Sequence, residues 1–281
     1  MKKLIPLALV ATILSGCGSN QTYLSSVTDG TTALVEIDGT TITTNDIYRY
    51  YLESYGSSQV LDFALTHIAE IEITDQEAID AKLQETIDTY TTYAGVDLNS
   101  YAVSLGYESG DQYTQEALLP SVLQQLLIEK YVNDNVATLK DEYKIKYLKT
   151  VSFNTEIEAT DFISSTTNED FDTAMIENDG IDVGIVTSDN TDLDTNIIGE
   201  LDSFTQDGIY QEVISTTDGK FVVVYIYNTE LDDDSKSEVI STLMSTDGIS
   251  AECEKYYLDK YDFTVNEPLI KQAIDATYAT E

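Results

Sequence analysis

Few residues in this chain are of types that do covalent or metal chemistry. Among 281 residues there is one His, His67, one Arg, Arg49, and two Cys, Cys17 and Cys253. A single His excludes a His-rich zinc site and any Ser-His-Asp triad that does not run through His67. Two Cys cannot build a disulfide framework. His67 shares helical spacing with Ala64, Ile68 and Ile71, so a packed or rim histidine is expected rather than a ligand. Cys253 sits in Ala251-Glu252-Cys253-Glu254-Lys255. Acidic neighbours disfavour a thiolate, so an inert, partly buried thiol is expected. The densest set of oxygen ligands is Asp189, Asn190, Asp192, Asp194 and Asn196, with Glu200 just beyond. Calcium takes several such oxygens. No register here places Gly at the sharp turn and Glu at the end of an EF-hand loop, so a solvated loop is expected. The chain is read as binding no metal and no cofactor.

Charge narrows the partners. Fourteen basic residues against 51 acidic ones give a formal charge of −37 and a pI near 4.1. Binding phosphates needs clustered Lys and Arg, so nucleic acid is excluded as a partner held by charge. Composition is otherwise that of a folded protein, 42% hydrophobic and 23% charged. Tyrosine is abundant, 20 against seven Phe and no Trp. Tyr48, Tyr50, Tyr51 and Tyr55 fall close together, and Tyr90, Tyr93, Tyr101, Tyr107 and Tyr113 follow. A tyrosine side chain offers apolar area with a hydroxyl, which suits adaptable contact with unfolded chains. Tyr51 and Tyr90 are expected in the core.

The first residues read as an address. Lys2 and Lys3 precede an apolar run from Leu4 to Leu14, which ends in Ser15-Gly16-Cys17. A basic start, a short apolar stretch and small residues make a secretory signal, too short for a stable membrane span. Leu14-Ser15-Gly16-Cys17 resembles the bacterial lipobox. That resemblance implies cleavage before Cys17 and acylation of its thiol, which would tether the chain to the outer face of the cell membrane. Residues 1–16 are then the signal, and polar residues 17–30 a flexible tether. Losing Lys2 and Lys3 takes the charge from −37 to −39.

The rest must position whatever site exists. Ala33–Ile37 reads as a strand ending at the turn Asp38-Gly39. Thr43 with Asp46 makes a capping box for a helix that Gly56 ends, with Ile47, Tyr48, Tyr51, Leu52 and Tyr55 on one face. Helices follow at Gln59–Glu70, after Thr74, after Asp97 up to Gly106, and after Ser109, the last with a kink or break near Pro120. Thr138 with Asp141 is expected to cap one more turn. The texture changes at Lys144. Strands are expected at Ile145–Phe153, Ile181–Thr187 and Phe221–Tyr227, and helices at Glu156–Ser165 and Asp170–Glu177. Asp232-Asp233-Asp234 reads as a polar break, and Ser237–Met244 and Ala251–Lys260 return to helix. The terminal helices need an apolar partner, which favours an inserted domain over two consecutive ones.

This layout resembles the PrsA/SurA family of extracytoplasmic foldases. Val35-Glu36-Ile37-Asp38-Gly39 with Ile42-Thr43 is similar to that family's opening strand and turn. Tyr256 to Tyr261 with Phe263-Thr264-Val265 and Leu269 is similar to its closing helix and strand. Gly180 with Asp182-Val183-Gly184, then Gly208, then Gly219 before Phe221-Val222-Val223, resembles the marks of its parvulin-type prolyl isomerase domain. The resemblance implies an α+β fold, with a helical chaperone domain from residues 31–143 plus 235–281 and a parvulin-like domain at 144–234. It implies binding of unfolded or newly secreted polypeptides without ATP, with a Gram-positive cell surface suggested. Active parvulins carry His on the first and last strands. Here those slots fall near Tyr147 or Lys149 and at Phe221, while Asp182 keeps the Asp of the Asp-Leu-Gly mark. With no His after His67, isomerase activity is expected to be lost; the alternatives are an active parvulin-type isomerase with a rearranged site, or a surface interaction lipoprotein that reuses the fold. The strong negative charge is expected to favour cationic client segments and to weaken that preference as salt rises.

Overall fold

A computed structural model describes residues 27–278 with the exception of Thr191. The signal segment, Cys17 and most of the tether lie outside the described residues. The fold is α+β. In chain order it runs β1 (Ala33–Ile37), β2 (Thr40–Thr43), α1 (Thr44–Glu72), α2 (Gln76–Ala94), α3 (Leu98–Ser104) and α4 (Gly110–Tyr113). A π-helical turn, Thr114–Leu118, leads into α5 (Leu119–Glu142). Then come β3 (Lys146–Phe153), α6 (Glu156–Ser165), α7 (Phe171–Glu177), β4 (Ile181–Val186), α8 (Thr195–Gly199), β5 (Gly208–Ile209), β6 (Ile214–Ser215) and β7 (Phe221–Tyr227). The described chain closes with α9 (Asp233–Met244), α10 (Ile249–Lys260) and α11 (Pro268–Tyr278). It divides into two units, residues 27–68 with 257–278, and residues 69–256. No helix among the described residues is long and apolar enough to cross a membrane.

In the first unit, β1 and β2 pair antiparallel about Asp38 and Gly39, whose φ values of 46° and 76° are those of a tight two-residue hairpin turn. Thr43 starts α1 through a reciprocal box: its N–H donates to Asp46 Oδ2 at 2.8 Å, and its Oγ1 accepts from the Asp46 N–H at 3.3 Å. The expected break at Gly56 does not occur, and α1 runs on for 29 residues. The reason is packing. A Cβ at Gly56 would lie 3.2 Å from Ile270 Cγ1, so this glycine lets α11 approach α1 closely. Leu52, Ile270 and Ile274 form the buried centre of this unit, with Tyr48, Val60 and Leu61 against them. Phe263-Thr264-Val265 is not a strand. Phe263 and Val265 instead lay their side chains on the same core.

In the second unit, Asp75 rather than Thr74 caps α2, accepting from the N–H groups of Glu77 and Ala78. Its carboxylate reaches two orphan donors where a threonine hydroxyl reaches one. Asp97 caps α3 and Ser109 caps α4, as their spacing predicts. The break near Pro120 takes the form of the π turn, since Pro120 has no N–H to continue the i→i−4 ladder at the start of α5. No new turn begins at Thr138, which lies inside α5. Asp232 is a cap rather than a break. Its Oδ1 accepts from the Ser235 N–H at 2.8 Å, and α9 starts at once. Cys253 is buried, with its Sγ 3.9 Å from the Leu127 carbonyl of α5.

The sheet of this unit is antiparallel, in the order β4-β3-β7-β5, with β6 also paired to β7. Alternation sends side chains to two dry faces. Leu148, Val222, Val224 and Ile226 pack with Leu201 and Phe204 on one. Val151 and Val223 pack with Phe162, Phe171 and Met175, from α6 and α7, on the other. Phe171 and Phe204 are fully buried, and each contributes about 2–3 kcal/mol of transfer free energy. The acidic loop is held by its own backbone. Asn190 Oδ1 accepts from the N–H groups of Asp192 and Leu193, and the Asp194 carboxylate accepts from Asn196 and Thr217. The Thr217 bonds hold the Asp194 carboxyl below its usual range. Among the described residues, no three His, Cys, Asp or Glu side chains are placed to hold a metal ion.

Candidate functional site

The central pair of strands sets the register of the residues singled out by sequence. Tyr147 faces Tyr227, Lys149 faces Tyr225, Val151 faces Val223 and Phe153 faces Phe221. All eight side chains therefore share one face of the sheet. The inner part of that face is apolar and covered by α6 and α7. Its β3 N-terminal end is polar and aromatic, and three of the four singled-out positions meet there.

Lys149 is the hub. Its Nζ donates to Asp172 Oδ1 at 2.6 Å and stands 5.1 Å from the Tyr227 ring centroid and 6.0 Å from that of Tyr225. The Tyr225 ring stacks on Phe171 at 4.6 Å. The Tyr227 hydroxyl donates to Asp182 Oδ1 at 2.8 Å, which also accepts from the Gly184 N–H. Tyr147 packs on Tyr227 at 5.4 Å, and its hydroxyl donates to Glu238 Oε2 at 3.0 Å and to the Ser235 carbonyl at 3.1 Å. Burial, and then the bonded carboxylate, push both phenols well above their ordinary range. They stay protonated donors.

Phe221 is not part of this cluster. It lies six residues along β7 from Tyr227, about 20 Å at the rise of a strand, and is half-buried beside Phe153. The cluster also draws on Asp172, Tyr225, Tyr227 and Glu238, which the sequence reading did not single out. Tyr225 and Tyr227 were readable in principle, since they alternate on a recognised strand. Nothing local marked Asp172 or Glu238. Chemically, the Tyr147 and Tyr227 hydroxyls are committed to carboxylates and Lys149 Nζ to Asp172. That arrangement ties β3, β4, β7, α7 and α9 together. It contains no imidazole that could exchange protons near neutrality.

A second feature is apolar. Ile47, Tyr51, Tyr55 and Phe63 recur along α1 at intervals of four and eight, next to the core-facing row of buried Leu52 and partly buried Tyr48 and Val60. They are exposed, Tyr51 to 44% and Phe63 to 66%. The core position expected for Tyr51 is therefore corrected. Close approach at Gly56 turns the neighbouring row toward α11, and Tyr51 rests on Tyr55 at 5.8 Å instead. Leu34, Val35 and Ile37 of the hairpin are likewise exposed. Tyr90, also expected in the core, is 39% exposed at the edge of a tyrosine cluster. His67 sits on an exposed position of α1.

No protein-family model matches the sequence, and no curated protein matches it. Solved structures do match. The peptidylprolyl isomerase PrsA from Bacillus cereus aligns over 89% of this chain and 100% of its own, with 12% identity and a TM-score of 0.52. The foldase protein PrsA from Streptococcus pneumoniae covers 88% of this chain and 100% of its own at 16% identity, with a TM-score of 0.39. PrsA from Bacillus subtilis covers 90% and 100% at 16% identity, with a TM-score of 0.40. At such identities the likeness is one of fold, and the match to the Bacillus cereus structure carries it. The resemblance read from the sequence therefore holds at the level of architecture: the chain has the PrsA fold.

Proposed function

We propose that this chain is a lipid-anchored, ATP-independent folding factor on the outer face of the bacterial cell membrane, which holds unfolded or newly secreted polypeptides. The observation that carries this reading is the exposed apolar stripe of Ile47, Tyr51, Tyr55 and Phe63 on α1, set in the fold of a PrsA protein. A monomer has no folding reason to leave such a stripe in water, and apolar rows on rigid helices are suited to extended segments of other chains. Cys17 would carry the anchor, as the lipobox resemblance implies. Residues 31–143 plus 235–281 would form the chaperone domain and 144–234 the inserted parvulin-like domain.

The parvulin-like domain serves binding or spacing in this reading, and its isomerase activity is lost. Prolyl isomerisation needs stabilisation of a twisted amide over a barrier of about 18–20 kcal/mol. Tyr147, Lys149, Asp182 and Phe221 would stand where the family's site lies. Two of the donors there, the Tyr147 and Tyr227 hydroxyls, are already bound to carboxylates. The Bacillus cereus protein is described as a peptidylprolyl isomerase, and that favours an active enzyme as the second reading.

Two assays separate the readings. Protease-coupled prolyl isomerisation and aggregation suppression of a reduced, unfolded client are run on the same preparation, beside a Tyr51→Ser, Tyr55→Ser variant. Suppression that the variant weakens, with isomerisation at background, is expected. Isomerisation well above background would overturn the loss of catalysis. Suppression that is absent, or unchanged in the variant, would overturn the holding function of the α1 stripe.

A further inference from the structure

Between Lys82 and Lys130 the sequence contains no Lys, Arg or His, yet it contains seven Asp and Glu. This segment folds as the part of α2 beyond Lys82, then α3, α4 and the start of α5, and its aromatic residues are all tyrosines. They form a connected column. Tyr107 packs on Tyr113 at 5.0 Å, Tyr113 on Tyr101 at 5.8 Å, and Tyr101 on Tyr90 at 5.8 Å. The inner end, Tyr113, is buried among Ala102 and Leu118. The outer end reaches solvent at Tyr90, and Tyr93, one turn further along α2, is 88% exposed. Val96 and Leu105 are exposed beside the ends of α2 and α3.

Elsewhere the protein covers tyrosine rings with its own lysines. Lys149 stands over Tyr225 and Tyr227, and Lys260 over Tyr257 and Tyr261 at 5.3 and 5.6 Å. Among the described residues no lysine or arginine lies over Tyr90, Tyr93, Tyr101 or Tyr107. A ring face attracts cations through its quadrupole. The charged side chains between Lys82 and Lys130 are all acidic, though Lys82 itself pairs with Glu85 at 2.9 Å, and fields of like sign add to raise the local concentration of cations. Exposed tyrosines in a segment without a positive charge are thus complementary to one kind of partner.

We propose that the outer end of this column, Tyr90 and Tyr93 with Glu85 and Asp88 of α2 and the Asp97 cap of α3, binds arginine- or lysine-bearing segments of unfolded polypeptides. The inference rests on the holding function proposed above and names the client chemistry for a surface distinct from the α1 stripe. Arginine is the better fit, since its planar guanidinium stacks on a ring while keeping donors for Asp or Glu. The exposed apolar neighbours Val96 and Leu105 supply contact for residues that flank the cation.

The test is fluorescence anisotropy with the full chain in phosphatidylcholine nanodiscs. The probes are a labelled, unstructured peptide of Gly, Ser and Leu with three Arg, and the same peptide with Gln for Arg. Wild type is compared with Tyr90→Ser, Tyr93→Ser. An exposed cation–π contact is worth about two- to fivefold in affinity, so losing two rings weakens the Arg peptide by about five- to twentyfold and leaves the Gln peptide unchanged. Tyr90 also packs on Tyr101, so Tyr93→Ser alone is the second variant, and circular dichroism checks the fold of both. Equal binding of the two peptides, or an Arg affinity unmoved by Tyr93→Ser, overturns the inference. Aggregation suppression is read in parallel. Suppression without Arg preference leaves the holding function standing and this surface refuted. Arg preference that depends on Tyr93, without suppression, does the reverse.

Discussion

Cys253 gives a quantitative check on how the second unit is packed. It lies on α10 with 2% of its surface exposed, its Sγ against the Leu127 carbonyl. Burial first, and then the Glu254 charge, push its thiol from 9.0 up to about 12. A thiol alkylates as the thiolate. At pH 8 a pKa of 12 instead of 9 lowers the thiolate fraction about a thousandfold. The experiment is iodoacetamide labelling of the native chain and of the chain in denaturant, followed by digestion and mass spectrometry of the peptide that carries Cys253. Native labelling is expected to be at least about a thousandfold slower. Its pH profile is a second signature. A free thiol stops gaining reactivity above its pKa near 9, whereas Cys253 should still gain about tenfold per pH unit between 9 and 11. The sign for stability follows. The folded state favours the neutral thiol, so its contribution is complete below pH 9 and is lost as pH rises toward 12. A native rate within tenfold of the denatured rate, with a plateau near pH 9, would refute the packing of α10 on α5.

Three further outcomes are expected. Gly180→Ala should destabilise by about 1–3 kcal/mol or more, read as a fall in denaturant midpoint, because its Cβ would lie 2.5 Å from Met175 Cγ and 2.8 Å from the Thr150 carbonyl, which is backbone and cannot swing away. Tyr143→Phe should cost about 1.5–3 kcal/mol in chemical unfolding, since the buried hydroxyl donates to Glu252 Oε1 at 2.5 Å and a bond to a charged acceptor is lost. Tyr131→Phe should remove tyrosinate absorbance only from the late part of an alkaline titration: burial, and then the Glu252 charge, push the Tyr131 phenol up to about 12, so its contribution to stability is present below pH 10 and lost as pH rises to 12. A variant whose absorbance is instead diminished below pH 10, with the circular dichroism spectrum of the parent intact there, would contradict that account of Tyr131.

Much of the chain was readable because its signals are local. Asp38-Gly39, the Thr43–Asp46 box, Ser109 before α4 and the run Phe221–Tyr227 each specify their structure within a few residues. The errors share a different cause. Gly56 reads as a stop until Ile270 is placed against it, and Tyr51 reads as core until that same contact turns the helix. Thr74 and Asp75 compete for one cap, and the carboxylate that reaches two N–H groups prevails. The candidate site divides in the same way. Tyr147, Lys149 and Asp182 could be found by resemblance and by strand register. Asp172 and Glu238 complete the cluster from α7 and α9, and no spacing in the sequence ties them to it. Phe221 was placed with the others by motif, but six residues of strand separate it from Tyr227.

The contact of α11 with α1 bears on how the protein comes to be folded. Ile270 and Ile274 supply two of the three buried side chains at the centre of the first unit, and they arrive from the far end of the described chain. A polypeptide made amino end first presents α1 long before its partner exists. During that interval Leu52 and the α1 stripe are wet together, and the whole circumference of the helix is open to association. The second unit, whose strands and helices lie within one continuous stretch, has its contacts available earlier. Completion of the first unit is thus a late event, gated by delivery of α11. A chain cut short before Pro268 would retain a formed α/β unit and an amino-terminal helix with no inner side.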